Sequence, residues 1–164
     1  MRRALLLPGL LALAAGPGLA GDLVSPPSPE YREECGSCHV AYPPRLLDGA
    51  AWARVMAGLA EHFGTDASLE PASRDRLAAY LAARAAPSRG NESAPPRPDT
   101  PRITTSAWFL RKHRDGHDGL HAALWRTPAV GSPANCGACH RAAAEGRYGE
   151  HEIQLPVSTG ASSR

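Results

Sequence analysis

One short pattern limits what this 164-residue chain can fold into more than any other feature. Two cysteines three positions apart, with a histidine directly after the second, occur at Cys35-Gly36-Ser37-Cys38-His39 and again at Cys136-Gly137-Ala138-Cys139-His140. Two thiols at that spacing on one helical turn can each add to a vinyl group of the same porphyrin, and the adjacent imidazole is then held beneath the iron. C-x-x-C-H is accordingly the attachment signature of c-type haem. C-x-x-C alone would serve zinc or thiol redox chemistry equally well. The competing readings are two disulfides or one four-cysteine zinc site. The repeated histidine predicts instead two covalently bound c-type haems, with thioethers at Cys35, Cys38, Cys136 and Cys139 and proximal iron ligands at His39 and His140. All four cysteines are then consumed, which leaves no thiol for a disulfide, a zinc ion or nucleophilic catalysis.

The N-terminus reads as a targeting segment. Met1-Arg2-Arg3 is basic, Ala4 to Ala15 is apolar, and Gly18-Leu19-Ala20 supplies a small-x-small site, which together predict a signal peptide over residues 1–20. The apolar run is too short, and too broken by Pro8 and Pro17, to span a bilayer, so the processed chain is expected not to be integral to a membrane. Arg2 and Arg3 account for the whole excess of 18 basic over 16 acidic residues, so the processed chain is formally neutral. Haem propionates would make it acidic. No basic run interleaved with aromatics occurs, and nucleic acid is not an expected partner.

Composition divides what remains. Residues 21–86 form an expected first haem lobe, 87–102 a Pro-, Ser- and Gly-rich linker or surface loop, and 103–164 a second haem lobe. Each lobe is near the lower size limit for independent folding, and a largely apolar haem would complete its core. The expected fold is mainly α: two small cytochrome c-like helical lobes packed around covalent haems, with little or no sheet. A short helix is expected to carry the first motif and to end at Pro43-Pro44. The first lobe carries more acidic than basic side chains and the second the reverse, a polarity that could orient a redox partner.

The sixth iron ligands must come from elsewhere in the chain. Asp48 is placed to cap a helix through Phe63, whose apolar stripe contains Trp52, Val55, Met56, Leu59 and Phe63, with His62 at its edge. Pro71 opens a further helix ending near Ala86. Thr104-Thr105-Ser106 caps a helix on which Phe109, Leu110 and His113 share a face. His62 and His113 are therefore the distal candidates. His121 shares a face with Leu124 and Trp125 and competes with His113; His117 lies in a Gly-flanked loop, and His151 sits between two carboxylates near the end of the chain. Methionine, the other common sixth ligand, occurs after the leader only as Met56, amid an apolar face. Two bis-His haems follow. Irons saturated by protein ligands move electrons and offer no open position for a substrate. The rival classes are a peroxidase-like dihaem enzyme with one open haem, and a gas or redox sensor with one labile ligand.

Several blocks in order resemble the bacterial dihaem cytochrome c family: Glu34-Cys35 through Pro44-Arg45-Leu46-Leu47, His62-Phe63-Gly64 with Asp66-Ala67-Ser68-Leu69, Arg102-Ile103-Thr104 with Trp108-Phe109 and His113, Ser132-Pro133-Ala134-Asn135-Cys136 through His140, and Gly146-Arg147-Tyr148. The resemblance covers most of residues 30–156. It implies a periplasmic, mostly helical electron carrier, not an enzyme, with two bis-His haems and with its distal ligands at His62 and His113. It also implies redox partners such as a membrane b-type cytochrome or a small oxygen-binding haem protein.

Overall fold

The structure, a computed structural model, describes residues 26–88 and 100–156. The expected signal peptide and most of the 87–102 linker lie outside the described residues. The fold is helical, and the described residues contain no strand, only isolated bridges such as Asp48 with Ala86 and His140 with Ile153.

Helix α1 spans Pro29–Gly36. The Ser28 side chain accepts from the Tyr31 N–H at its start, and Pro29 occupies the first turn, where a missing N–H costs nothing. Cys35 therefore rides in the last turn of α1, and Cys38 and His39 follow in the loop. Helix α2 spans Gly49–Ala57 and is capped by Asp48 Oδ1, which accepts the Ala51 N–H at 2.7 Å. Helix α3 spans Pro71–Arg84 and packs on α2.

The sequence predicts one helix from Asp48 to Phe63, and the structure shortens it. Helix α2 stops at Ala57, where the Gly58 N–H closes onto the Arg54 and Val55 carbonyls. A single 3-10 turn, Leu59–Glu61, follows, and His62 has extended backbone with ψ 90°. Phe63 and Gly64 then take left-handed φ values of 52° and 89°, which turn the chain back. The apolar periodicity runs on past Gly58 because Leu59 and Phe63 still face the same interior space as Val55. Spacing alone therefore does not reveal the break.

Tyr31, Trp52, Val55, Met56, Leu77 and Leu81 form the buried core of this half, and Leu77 and Leu81, one turn apart on α3, are each 1% exposed. Trp52 Nε1 donates to the Pro44 carbonyl at 2.6 Å, so a buried indole N–H is satisfied. Leu77→Ala is expected to destabilise the holoprotein by about 2–5 kcal/mol in urea denaturation, the range for truncating a fully buried leucine.

The second half is made of shorter pieces. A 3-10 turn at Ile103–Thr105 precedes helix α4, Ala107–Lys112. Ser106 alone caps α4, its side chain accepting the Phe109 N–H at 3.1 Å, while Thr104 and Thr105 lie in the preceding turn. The helix expected over Arg141 to Glu145 is a single 3-10 turn, Ala143–Glu145, closed by left-handed Gly146. The second motif likewise sits on a 3-10 turn, Cys136–Ala138, and not on an α-helix. Its separate core of buried residues is Val130, Ala138 and Cys139, with Leu124, Trp125, Ile153 and Leu155 packed around it. The halves touch where Tyr42 Oη donates to the Ala134 carbonyl at 2.8 Å, and where the Arg102 guanidinium lies 4.3 Å above the Phe63 ring.

Candidate haem sites

His39 follows α1 in a loop that fixes its ring from two sides. Its Nδ1 lies 2.7 Å from the Val40 carbonyl, and Tyr42 stacks on it at 4.6 Å between ring centres and 15° between planes. A carbonyl can only accept, so Nδ1 carries the proton and the Nε2 lone pair is free for a metal. Across an open space stands His62, its ring centre 6.3 Å from that of His39 and its plane 28° away. Its Nδ1 is buried without a hydrogen-bond partner among the described residues. Burial, and then the neighbouring His39, hold the His62 imidazole below its ordinary pKa, so it is neutral and able to ligate.

The second pair has the same separation and a different support. His113 caps the C-terminus of α4, its Nδ1 lies 3.0 Å from the Phe109 carbonyl, and its ring stacks on Phe109 at 4.0 Å and 12°. His140 faces it with ring centres 6.3 Å apart and planes 68° apart. Burial lowers the pKa of both imidazoles. His140 Nδ1 and the Tyr148 hydroxyl are buried without partners among the described residues, and the Tyr148 ring lies 5.2 Å from His140.

The separation of 6.3 Å between ring centres in both pairs leaves the two imidazoles too far apart for a direct hydrogen bond. A metal–imidazole bond of about 2.0–2.1 Å on either side of one ion, with about 1 Å from each nitrogen to its ring centre, places two ring centres about 6 Å apart. The four histidines and the four cysteines all line one cavity of about 1500 Å³. That exceeds the roughly 300–1,000 Å³ of a site for one small ligand, and it suits two large flat groups side by side. Paired histidines one ion apart and two thiols beside each pair make a donor set that fits haem c twice.

The competing chemistries do not fit. All four cysteines are unpaired. Among the described residues, the groups close enough to share a metal ion are His117, Asp118 and Glu150, so the four thiols are not gathered for zinc. Burial pushes the Cys35 and Cys136 thiols up to about 11, the reverse of a reactive or zinc-binding cysteine.

The other ligand candidates also separate. The His121 side chain is 77% exposed, lies 4.0 Å from the Asp115 carboxylate, and is not part of the cavity wall. His117 and His151 reach that wall, but the ring contacts of His140 are with His113 and Tyr148. Met56 is buried in the first core. The sequence offered no signal for Arg102 above Phe63, nor for Tyr148 beside His140, because those contacts join residues distant along the chain.

A helical chain with two C-x-x-C-H motifs around one shared cavity, each motif histidine opposed by a second imidazole, defines a multihaem c-type cytochrome. Residues 31–148 match the family model described as dihaem cytochrome c. The dihaem c-type cytochrome of Shewanella baltica is 36% identical over 78% of this chain and 92% of its own, with a TM-score of 0.64. The dihaem cytochrome c of Rhodobacter sphaeroides is 41% identical over 73% of this chain and 95% of its own, with a TM-score of 0.60. No curated protein sequence matches the chain. The chain belongs to the dihaem cytochrome c family, whose members carry two haem c groups.

Proposed function

We propose that the chain carries single electrons in the periplasm through two bis-His c-type haems. In this reading Cys35 and Cys38 bind the first haem and Cys136 and Cys139 the second. His39 pairs with His62 and His140 with His113. The observation that carries it is the 6.3 Å separation of both histidine pairs, the spacing of two imidazoles on one ion. When bound, each haem supplies a one-electron iron couple.

The chain's own groups do the rest. His39 and His113 each point an Nδ1–H at a backbone carbonyl, which fixes the tautomer and makes the opposite nitrogen a stronger donor to iron. Stronger donation favours the ferric state and a lower potential. Apolar side chains such as Trp52, Val55 and Leu81 keep water from the first site. That both motifs line one cavity supports electron exchange between the two haems without a solvent gap. Ligands on both faces leave no position for a substrate, which favours a carrier over a peroxidase-like enzyme. The two separate cores support one haem lobe in each half.

No helix among the described residues is long and apolar enough to cross a membrane. The leader-like residues 1–20 support export, and the family resemblance supports a membrane b-type cytochrome or a small oxygen-binding haem protein as redox partner.

The test is the spin state of the isolated holoprotein. Absorption and paramagnetic resonance spectra are expected to show two low-spin ferric haems per chain, both remaining low-spin on reduction. A high-spin ferric component in the untreated protein would overturn bis-His ligation.

A further inference from the structure

The two distal histidines are held unequally. His113 is fixed by its hydrogen bond to the Phe109 carbonyl, by the buried Phe109 ring beneath it, and by Trp108 and Trp125 at 6.4 and 6.1 Å. His62 has none of these supports. It lies past the end of its helix, and its Nδ1 has no partner among the described residues. Apart from His39, its ring contact is the edge of Phe63 at 4.7 Å.

Phe63 is itself a poor anchor. Its φ of 52° is one that a bulky residue rarely adopts. What bears on the Phe63 ring from across the chain is the Arg102 guanidinium, 4.3 Å above it. His62 thus sits between a single 3-10 turn and the left-handed reversal at Phe63 and Gly64, and not on a helix. Nothing comparable acts on His113, whose φ of −115° is ordinary. The motif histidines are tethered through their neighbouring thioethers, so exchange must fall on a distal ligand.

Resting on the bis-His reading above, we propose that His62 is an exchangeable ligand and His113 a locked one. The first haem pocket is then a binding site for a neutral diatomic ligand, such as carbon monoxide or nitric oxide, gated by the contact between Arg102 and Phe63. The lining chooses the ligand class. Trp52, Val55, Met56 and Leu59 form an apolar wall. The carboxylate on the rim, Asp66, is held ionised by its hydrogen bonds to Ser68 and repels anions. An apolar wall of this kind holds a small neutral diatomic molecule without the hydrogen-bond donors an anion needs.

The experiment is titration of the fully reduced holoprotein with carbon monoxide, read by absorption and by bound gas per chain. The wild type is expected to bind one equivalent. His62→Ala, whose first site is open from the start, also binds one, and His113→Ala binds two. Arg102→Gln accelerates association about 2- to 5-fold, the change that loss of an exposed cation–π contact allows. No binding by both the wild type and Arg102→Gln would overturn the proposal, as would two equivalents in the wild type or in His62→Ala. An unchanged rate in Arg102→Gln would overturn the gate. A high-spin ferric spectrum before any gas is added would be a failure of the bis-His reading itself, which this series distinguishes from a failure of exchange.

Discussion

Replacing Cys136 and Cys139 together by serine is expected to remove the second haem and, with it, the ordered second half of the chain. The buried residues there are Phe109, Leu120, Val130, Ala138, Cys139 and Ala143, of which only Val130, Ala138 and Cys139 form one cluster, and around them stand 3-10 turns in place of long helices. Below about 70–80 residues a core rarely supplies more than about 3–5 kcal/mol. Fully burying a valine contributes only about 1.5–3 kcal/mol, against a backbone ordering cost of about 1–2 kcal/mol for every residue fixed. The haem must supply the rest of the apolar contact. The pyridine haemochrome assay should fall from two haems per chain to one. Limited proteolysis should cut after residue 100 while sparing α1 to α3. The matching change at Cys35 and Cys38 is expected to be milder for secondary structure, because α2 and α3 bury Trp52, Val55, Met56, Leu77 and Leu81 against one another. Loss of α2 and α3 in that variant, with the second half retained, would reverse this ranking.

His113→Ala is expected to convert one haem from low-spin to high-spin and to raise its potential by on the order of 0.1 V, a fraction of the roughly 0.8 V over which axial ligands set haem potentials. The sign follows from donation. A neutral imidazole whose Nδ1–H is given to the Phe109 carbonyl is a strong donor that favours the ferric state, and its loss destabilises that state. The other haem should keep its spin state. Spectroelectrochemistry of the variant beside His121→Ala separates the two candidates. With His121 exposed and outside the cavity wall, His121→Ala should leave both haems low-spin. The opposite pattern, His113→Ala unchanged and His121→Ala high-spin, would transfer the role to His121.

Some of this was legible before any coordinate. The two motifs name the cofactor, because the chemistry of two vinyl groups and one iron dictates residue types at fixed local spacing. The choice of His62 and His113 was legible as a shortlist, since each lies beside an apolar stripe. Helix α3 and the start of α2 were legible from Pro71 and Asp48. The early end of α2 was not. Its apolar pattern continues through Leu59 and Phe63, and periodicity reports which side of the chain faces the interior, not whether the hydrogen bonds stay helical. The 3-10 turns of the second half were not legible for a related reason. Its elements are too short for propensity to act cooperatively, and their shape follows the surface they wrap.

From its residues alone the chain thus settles its cofactor chemistry and its helical class, because both rest on covalent spacing and local backbone preference. Which imidazole faces which lies beyond that reach. His39 faces His62 and His113 faces His140 across loops whose course depends on packing, and His121, the competitor of His113 on paper, is carried to the surface. The unequal support of the two distal ligands belongs to the tertiary structure as well. It depends on Arg102 reaching Phe63 and on Phe109 lying beneath His113, and a sequence specifies such contacts only through the whole fold.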